Sequence, residues 1–219
     1  MSDGSMQAAS DEWLTGWLTG PVRNRWETLP VQVGDPAPSV RLGAAVGGEV
    51  ELSSVWADGP ALVLFWRHYG CSCGIERAGR LGEELPSYRD AGANVVVIGM
   101  GEPERARAYA DRHGLDCTFL CDPDRVAYGT YGLLEGGPAQ ILFDAPDEFL
   151  RRDERAARDL QASRAGTERA LVDDPWQLPG EFVVGPDGTL ALTYRYQWCE
   201  DYPDPRVLVS SIRLAAGSV

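Results

Sequence analysis

The most constraining feature of the sequence is the apolar run Ala61–Trp66, which is followed closely by two cysteines and then by a helical pattern. An unbroken apolar run of this length is typical of a central strand that is covered on both faces. From Ile75 to Tyr88, apolar residues recur every three to four positions, which predicts a helix with one buried face. The sequence therefore predicts a strand–turn–helix unit with Cys71 and Cys73 in its turn.

Short elements separated by turn residues continue on both sides of this unit. Strands are predicted at 39–42, 49–52, 93–99, 118–121, 181–184 and 189–196, and helices at 102–113, 122–131 and 204–215. Crossover helices force parallel neighbours, whereas the hairpins around Gly47–Gly48 and Gly185–Gly188 add antiparallel strands. We expect an α/β fold with a mixed central sheet and helices on both faces.

Two segments lie outside this regular pattern. Residues 1–32 form an N-terminal extension with a short amphipathic helix over 11–19, whose apolar face we expect to dock on the domain or on a partner subunit. The main domain covers 33–219. It carries a charged helical insertion at about 133–175, which we interpret as a lid or an interface element.

Charge and composition exclude several classes of function. Acidic residues outnumber basic ones by 33 to 20, so the net charge of -13 should repel nucleic acid. All 20 basic residues are arginine, which excludes every lysine-based mechanism. We see neither an apolar run long enough for a membrane span nor a secretory signal, and we expect a cytoplasmic protein with no membrane contact.

The five cysteines are Cys71, Cys73, Cys117, Cys121 and Cys199. An odd number without a signal sequence argues against a secreted disulfide framework, so we expect thiols. Cys71 stands out because it lies between the end of a strand and the start of a helix, where amide groups favour the thiolate. Arg67 and His68, a few residues earlier, can add positive charge or a proton.

These motifs resemble the peroxiredoxin-like branch of the alkyl hydroperoxide reductase/thiol-specific antioxidant family. The resemblance rests on Val33–Pro38, the strand Ala61–Trp66, Tyr69-Gly70-Cys71, Cys121–Asp124 with Tyr128, Tyr131-Gly132, and the hairpin Gly180–Gly188. It covers roughly 33–132 and 176–215. The family implies a thioredoxin-like fold and makes Cys71 the redox-active cysteine of an antioxidant oxidoreductase.

The resemblance also implies the reactants. Cys71 would attack a small peroxide or a disulfide, with substrate contacts at Tyr69 and Pro179, and an external thiol would reset the enzyme. No cofactor and no metal are implied, and a homodimer is expected from the family. A zinc site built from Cys71, Cys73, His68 and Cys199 has suitable ligand types, but the tight C-x-C spacing favours redox use.

The sequence departs from the family at the places that matter for chemistry. Peroxiredoxins carry a proline seven residues before the cysteine and a threonine or serine three residues before it, where this chain has Leu64 and His68. The arginine before the late hairpin is replaced by Pro179. Thioredoxin-like proteins place a cis-proline there, so we expect a cis peptide bond at Pro179.

The cysteine that resolves oxidised Cys71 is left open. Cys73 is one candidate, although residues two apart on a helix diverge and the first turn would have to unwind. Cys199, expected to be accessible, is the best distal candidate, and Cys117, Cys121 or an external thiol remain. Cys117 and Cys121 lie roughly 13 Å apart on one strand, too far to bridge, and we expect both to be buried thiols.

The sequence is therefore compatible with three functions. A peroxiredoxin-like thiol oxidoreductase is favoured by Cys71 and the family motifs. A disulfide reductase or isomerase that uses Cys71 and Cys73 is supported by Pro179 and by the missing threonine and arginine. A binding module without catalysis is supported by the N-terminal extension, the insertion and the incomplete motif.

Overall fold

The computed structural model describes residues 29–69, 72–136, 174 and 176–217. By its contacts the chain divides into residues 1–30 and residues 31–219, and every helix and strand described below belongs to the second unit. The helix predicted at 11–19 and most of the insertion at 133–175 lie outside the described residues, as does Cys71.

The described elements alternate as the sequence predicts. The strands are β1 (Arg41–Ala44), β2 (Glu49–Glu51), β3 (Ala61–Phe65), β4 (Asn94–Gly99), β5 (Thr118–Cys121), β6 (Gly180–Val184) and β7 (Leu190–Arg195). The helices are α1 (Ser72–Asp90), α2 (Pro103–His113), α3 (Val126–Thr130) and α4 (Pro205–Ala215), with a 3-10 helix at Leu52–Trp56.

These strands form one mixed sheet in the order β2-β1-β5-β4-β3-β6-β7. Strands β3, β4 and β5 are parallel, and β1–β2, β1–β5, β3–β6 and β6–β7 pair antiparallel. The expected mixed sheet is therefore confirmed. Because β3 has a paired neighbour on each side and is buried along its whole length, the residues that follow it start from the centre of the domain.

Alternate residues of β3 enter two separate cores. Leu62 and Leu64 pack with apolar residues of α1, α2 and α4 on one face. Val63 and Phe65 pack with α3 and the 3-10 helix on the other face. A fully buried leucine or phenylalanine side chain contributes about 1.5–3 kcal/mol. The two cores together thus fix both faces of the strand that leads to the cysteines.

The predicted boundaries shift by one or two residues at most elements, but α3 is shorter than expected. It begins at Val126 instead of residue 122, since Arg125 adopts a left-handed backbone with φ 56°. The carboxylate of Asp122 still acts as its cap, and accepts the amides of Val126 at 2.9 Å and of Ala127 at 2.8 Å.

Tyr69 is held in a slot that two glycines leave open. A Cβ atom on Gly99 would lie 2.5 Å from ring carbon Cζ of Tyr69, and one on Gly101 would lie 2.7 Å from Cε2. The ring also packs against Tyr109 of α2, with ring centres 4.7 Å apart. The chain segment after β3 is thereby fixed against the end of β4.

A buried ionic network joins α1 to β6. The guanidinium of Arg77 donates from Nε and Nη2 to the two carboxylate oxygens of Glu181, at 2.8 and 3.2 Å. Its Nη1 donates to Glu84 at 2.7 Å, and Tyr88 donates to the same carboxylate at 2.8 Å. Tyr196 donates to Glu181 from the other side. These charges are shielded from water, but Arg77, Glu181 and Glu84 each keep at least two hydrogen bonds, and such bonding is the condition under which buried ions are tolerated.

Within the residues that the structure describes, no helix is long and apolar enough to cross a membrane. The same residues include no cluster of three histidine, cysteine, aspartate or glutamate side chains arranged to hold a metal ion.

We predict that Gly99→Ala lowers the free energy of unfolding by about 2–3 kcal/mol, because the new methyl group overlaps the confined ring of Tyr69. The matched control is Gly79→Ala, at an exposed position of α1 with no atom within 4 Å of the new Cβ. It should stabilise the protein by about 0.5–1 kcal/mol. Urea unfolding measures the free energy of unfolding of both variants. Equal effects would show that the ring of Tyr69 does not need the space that Gly99 leaves open.

We predict that Glu181→Gln lowers the free energy of unfolding by about 3 kcal/mol, because it removes the carboxylate charge that faces buried Arg77. In the control, Glu76→Gln removes one partner of the exposed Glu76–Arg80 pair and should cost less than about 0.5 kcal/mol. Denaturant unfolding at constant salt measures the free energy of unfolding of both variants. A Glu181→Gln cost as small as that of the control would show that the buried network contributes little.

Candidate active site

The segment after β3 is fixed by hydrogen bonds from three other elements. The amide of Trp66 donates to the carbonyl of Ile98 at 2.7 Å, and its indole donates to the hydroxyl of Tyr109 at 3.1 Å. The hydroxyl of Tyr128 donates to the carbonyl of Trp66. The chain therefore leaves the sheet in one defined direction, towards the first turn of α1.

The first turn of α1 is anchored in the same way. Tyr109 donates to the carbonyl of Gly74 at 2.7 Å, and Tyr202 donates to the carbonyl of Cys73 at 2.9 Å. A Cβ atom on Gly74 would lie 3.5 Å from the hydroxyl of Tyr109 and from the indole nitrogen of Trp66, which is ordinary van der Waals contact, so this turn is closely packed against both side chains. Two tyrosines from distant parts of the chain thus hold Cys73 in place.

Cys73 is buried and disulfide-bonded, whereas Cys117, Cys121 and Cys199 carry thiols. Nη1 of Arg67 donates to Sγ of Cys73 at 3.3 Å. Arg67 is itself only 3% exposed, so its permanent positive charge faces the sulfur with little screening by water. An arginine in this position stabilises negative charge on sulfur.

His68 corrects one expectation, because it does not add positive charge. Burial, together with the neighbouring charges of Arg67 and Arg105, lowers the pKa of His68 to about 3. The imidazole is therefore neutral at pH 7. Its Nε2 atom is buried and has no hydrogen-bond partner among the described residues. An unsatisfied buried nitrogen of this kind is rare in folded proteins.

Cys199 corrects a second expectation. It is 5% exposed, not accessible, and it packs directly against Cys73. The loop after β7 carries it there, with Tyr196 on one side bonded to Glu181 and Tyr202 on the other side bonded to Cys73. The residue predicted to be distal thus lies within the site.

The other two thiols lie on the sheet, at β5 and just before it. Burial raises the pKa of Cys117 to about 12 and that of Cys121 to about 11. Cys121 is buried as expected, while Cys117 is only partly buried. Both stay protonated at neutral pH, which suits thiols with a packing role.

Pro179 lies at the site, but the expected cis peptide bond is absent. No described peptide bond is cis, and the Leu178–Pro179 bond is among those described. Pro179 precedes β6, and its carbonyl accepts the amide of Tyr196 at 3.1 Å. The ring is part of the wall of the pocket beside Cys73.

A small pocket of about 20 Å³, which is space for about one water-sized group, lies between these groups. Its polar and sulfur-bearing wall is formed by Arg67, Cys73, Arg77, Glu181, Cys199 and Tyr202. Two arginines and two cysteines thus face one space at the carboxyl end of the central strand. Tyr69 belongs to the neighbouring slot against α2, and the side chain of Cys71 lies outside the described residues.

Several residues of this site were missed in the sequence, although two of them carried a signal. Glu181 interrupts the apolar strand around Phe182 and Val183, and a carboxylate in a buried strand requires a buried cation. Arg77 lies four residues after Cys73, one turn along the same helix. Tyr109 and Tyr202 carried no local signal, because their roles depend on tertiary contacts.

The sequence of the chain is similar to that of known proteins. Residues 33–193 match the AhpC/TSA family. The chloroplastic thioredoxin-like protein AAED1 of Arabidopsis thaliana is 26% identical over 157 residues, which are 69% of this chain but only 61% of that protein. A Mycobacterium tuberculosis protein named “Putative peroxiredoxin Rv2521” is 31% identical over 109 residues, 48% of this chain and 69% of that protein.

The fold has counterparts among solved structures. The crystal structure of peroxidoxin BcpB from Mycobacterium tuberculosis superposes with a TM-score of 0.58 at 13% identity, and the match covers 84% of this chain and 97% of that chain. This likeness shows the thioredoxin-like fold. Because the family match extends over most of the chain and the central strand leads into its cysteines, the chain belongs to the AhpC/TSA family.

Proposed function

We propose that this protein is a peroxiredoxin-like thiol oxidoreductase that reduces a small peroxide with the thiolate of Cys71. The observation that carries the proposal is the state of Cys73: a disulfide-bonded cysteine at the first turn of α1, beside the buried guanidinium of Arg67. Family membership supports the same chemistry.

The reaction has three steps. The Cys71 thiolate attacks one peroxide oxygen, the O–O bond breaks, and sulfenic acid forms while the other oxygen leaves as an alcohol or water. The Cys73 thiol then attacks the sulfenic sulfur, and a disulfide forms as water leaves. Two electrons from an external thiol pair finally reduce the disulfide and restore both cysteines.

Arg67 supplies the positive charge that the family takes from a residue before the late hairpin, where this chain has Pro179. Its guanidinium lies 3.3 Å from Sγ of Cys73 and is shielded from water. Whenever the disulfide is opened, negative charge develops on the sulfur that departs. Arg67 stabilises that charge if the departing sulfur belongs to Cys73.

His68 occupies the place of the threonine that orients peroxide in the family. The neutral imidazole, with its buried and unbonded Nε2, can hydrogen-bond a peroxide hydroxyl without competing for the thiolate proton. A protonated histidine would instead add charge. Neutrality is therefore part of the proposed mechanism.

The proposal also covers the cellular compartment, the oligomeric state and the reductant. A reducing, cytoplasmic compartment is proposed from the odd number of cysteines in the sequence. A homodimer and an external dithiol reductant are proposed from the family alone.

We predict that hydrogen peroxide changes the tryptophan fluorescence of the reduced protein in a stopped-flow experiment, and that Cys71→Ser abolishes the change. Cys117→Ser should react at the normal rate, because that thiol lies away from the pocket and has a raised pKa. Slow peroxide reaction combined with rapid turnover of insulin or glutathione disulfide would favour the disulfide reductase. No reaction with either substrate would leave only a binding module.

We predict that His68 makes the protein less stable as the pH falls from about 6.5 towards about 3. In this window the unfolded chain binds a proton at His68 that the folded chain does not bind, so the stability contributed by His68 is lost on acidification. The slope is at most about 1.4 kcal/mol per pH unit. Urea unfolding of the wild type and His68→Gln measures it as the difference between two pH profiles. Parallel profiles would show that His68 is not buried as a neutral group.

A further inference from the structure

We infer that Arg125 is a positioning residue, which fixes the Pro179 wall of the pocket beside Cys73 and makes that wall sensitive to salt. The inference deepens the proposed function, and it rests on that function only for the chemistry beside the wall. Neither the family resemblance nor the comparisons give Arg125 a role.

The first argument is the place where the contacts of the Arg125 side chain meet. Its Nη1 atom lies 2.6 Å from a carboxylate oxygen of Asp174 and 3.2 Å from one of Glu135. The same atom lies 3.4 Å from Oε1 of Gln177. Glu135 belongs to the segment that leads out of α3, whereas the other two residues belong to the segment that leads into β6. One nitrogen atom thus joins two segments that are far apart in the sequence.

The second argument is that these two segments pair in the manner of strands. The amide of Gly136 donates to the carbonyl of Trp176 at 2.8 Å, and the amide of Leu178 donates to the carbonyl of Leu134 at 2.9 Å. We call this pair of hydrogen bonds the ladder. The ladder ends one residue before the pocket wall, so a shift of the ladder also moves the wall.

The third argument is that α3 holds the chain on two sides of the pocket. Arg125 is the residue before α3, and Tyr128 of the same helix donates to the carbonyl of Trp66. Trp66 and Pro179 both line the pocket. The helix is thus bonded to the end of β3 through Tyr128, and to the segment before β6 through Arg125.

The backbone of Arg125 supports a special role for its side chain. Arg125 is the one non-glycine residue with a positive φ, 56°, in the part of the chain that the structure describes. This left-handed conformation is uncommon for a residue that has a Cβ atom, and it persists where the surrounding contacts require it. Its amide donates to the carbonyl of Asp122 at 3.1 Å, which holds the turn from which the guanidinium reaches the ladder.

The charges of this cluster are partly open to solvent. The side chain of Arg125 is 35% exposed, that of Asp174 24% and that of Glu135 68%. Salt screens such charges, since the screening length falls from about 10 Å at 0.1 M to about 3 Å at 1 M. The hold of Arg125 on the ladder therefore weakens as the ionic strength rises.

The test measures by NMR how fast single backbone amides of the full-length protein exchange hydrogen with solvent. Three reporter amides follow the proposed arrangement, those of Gly136, Leu178 and Tyr196. The first two belong to the ladder, and Tyr196 donates to the carbonyl of Pro179 at 3.1 Å. The amides of the buried strand β4 report on unfolding of the whole domain.

The variants separate the charge of the side chain from its bulk. Arg125→Met keeps an unbranched side chain but removes the charge, whereas Arg125→Lys keeps a positive charge on one nitrogen. Asp174→Asn tests the same contact from the carboxylate side, because its side-chain oxygen can still accept the amide of Trp176. In the matched control, Arg41→Met removes exposed ionic contacts of the β1–β2 hairpin.

We expect Arg125→Met and Asp174→Asn to speed exchange of the three reporter amides by about twofold to fivefold, the size expected for a partly exposed ion pair. Arg125→Lys should restore most of the protection, because one nitrogen makes all three contacts of the arginine. Raising sodium chloride from about 0.1 M to about 1 M should speed exchange in the wild type but not in Arg125→Met. Arg41→Met should exchange like the wild type.

Four results would overturn the inference. Unchanged reporter amides in Arg125→Met would show that the side chain does not hold the ladder, and an Arg125→Lys variant as fast as Arg125→Met would show that charge is not the cause. Faster exchange in the ladder without faster exchange at Tyr196 would show that the wall does not follow the ladder. Equal acceleration in β4 would show that the whole domain is destabilised.

The two proposals fail separately, because the exchange measurement uses no peroxide. If the reporter amides respond as expected but the protein does not react with hydrogen peroxide, the peroxidase function fails and the role of Arg125 stands. If the protein reacts rapidly with peroxide but the reporter amides ignore both charge and salt, the role of Arg125 fails and the peroxidase function stands.

Discussion

The contact between the buried guanidinium of Arg67 and the sulfur of Cys73 is the interaction on which the site depends. Its strength comes from the absence of water, since the side chains on both sides of the contact are almost completely buried. The two cores on either face of β3 keep that water out. The packing of the central strand therefore also determines how strongly the charge of Arg67 acts on the sulfur of Cys73.

The parts that hold this contact come from widely separated places in the chain. Tyr109 from α2, Tyr128 from α3 and Tyr202 from the loop after β7 each donate a hydroxyl to a backbone carbonyl next to the site. Buried tyrosine hydroxyls of this kind need a partner, and the carbonyls of Trp66, Cys73 and Gly74 provide it. The position of the cysteines is thus set by tertiary structure, not by the turn alone.

The sequence was sufficient for the architecture because hydrophobic periodicity is a local property. The run Ala61–Trp66 identified the central strand, and the glycine pairs identified the hairpins that make the sheet mixed. It was not sufficient for Cys199, whose acidic and aromatic neighbours suggested exposure. Only the folded loop, closed by Asp201 and attached through Tyr202, turns that cysteine inward.

The ion pair between Arg77 and Glu181 has a consequence for movement. Arg77 lies one helical turn after Cys73, and Glu181 is in register with Leu64 at the centre of the sheet. At Arg77, α1 is therefore linked to the buried centre of the sheet. When a disulfide at Cys73 forms or breaks, we therefore expect any backbone rearrangement to stay within the few residues before Arg77. The rest of the helix keeps its position against the sheet.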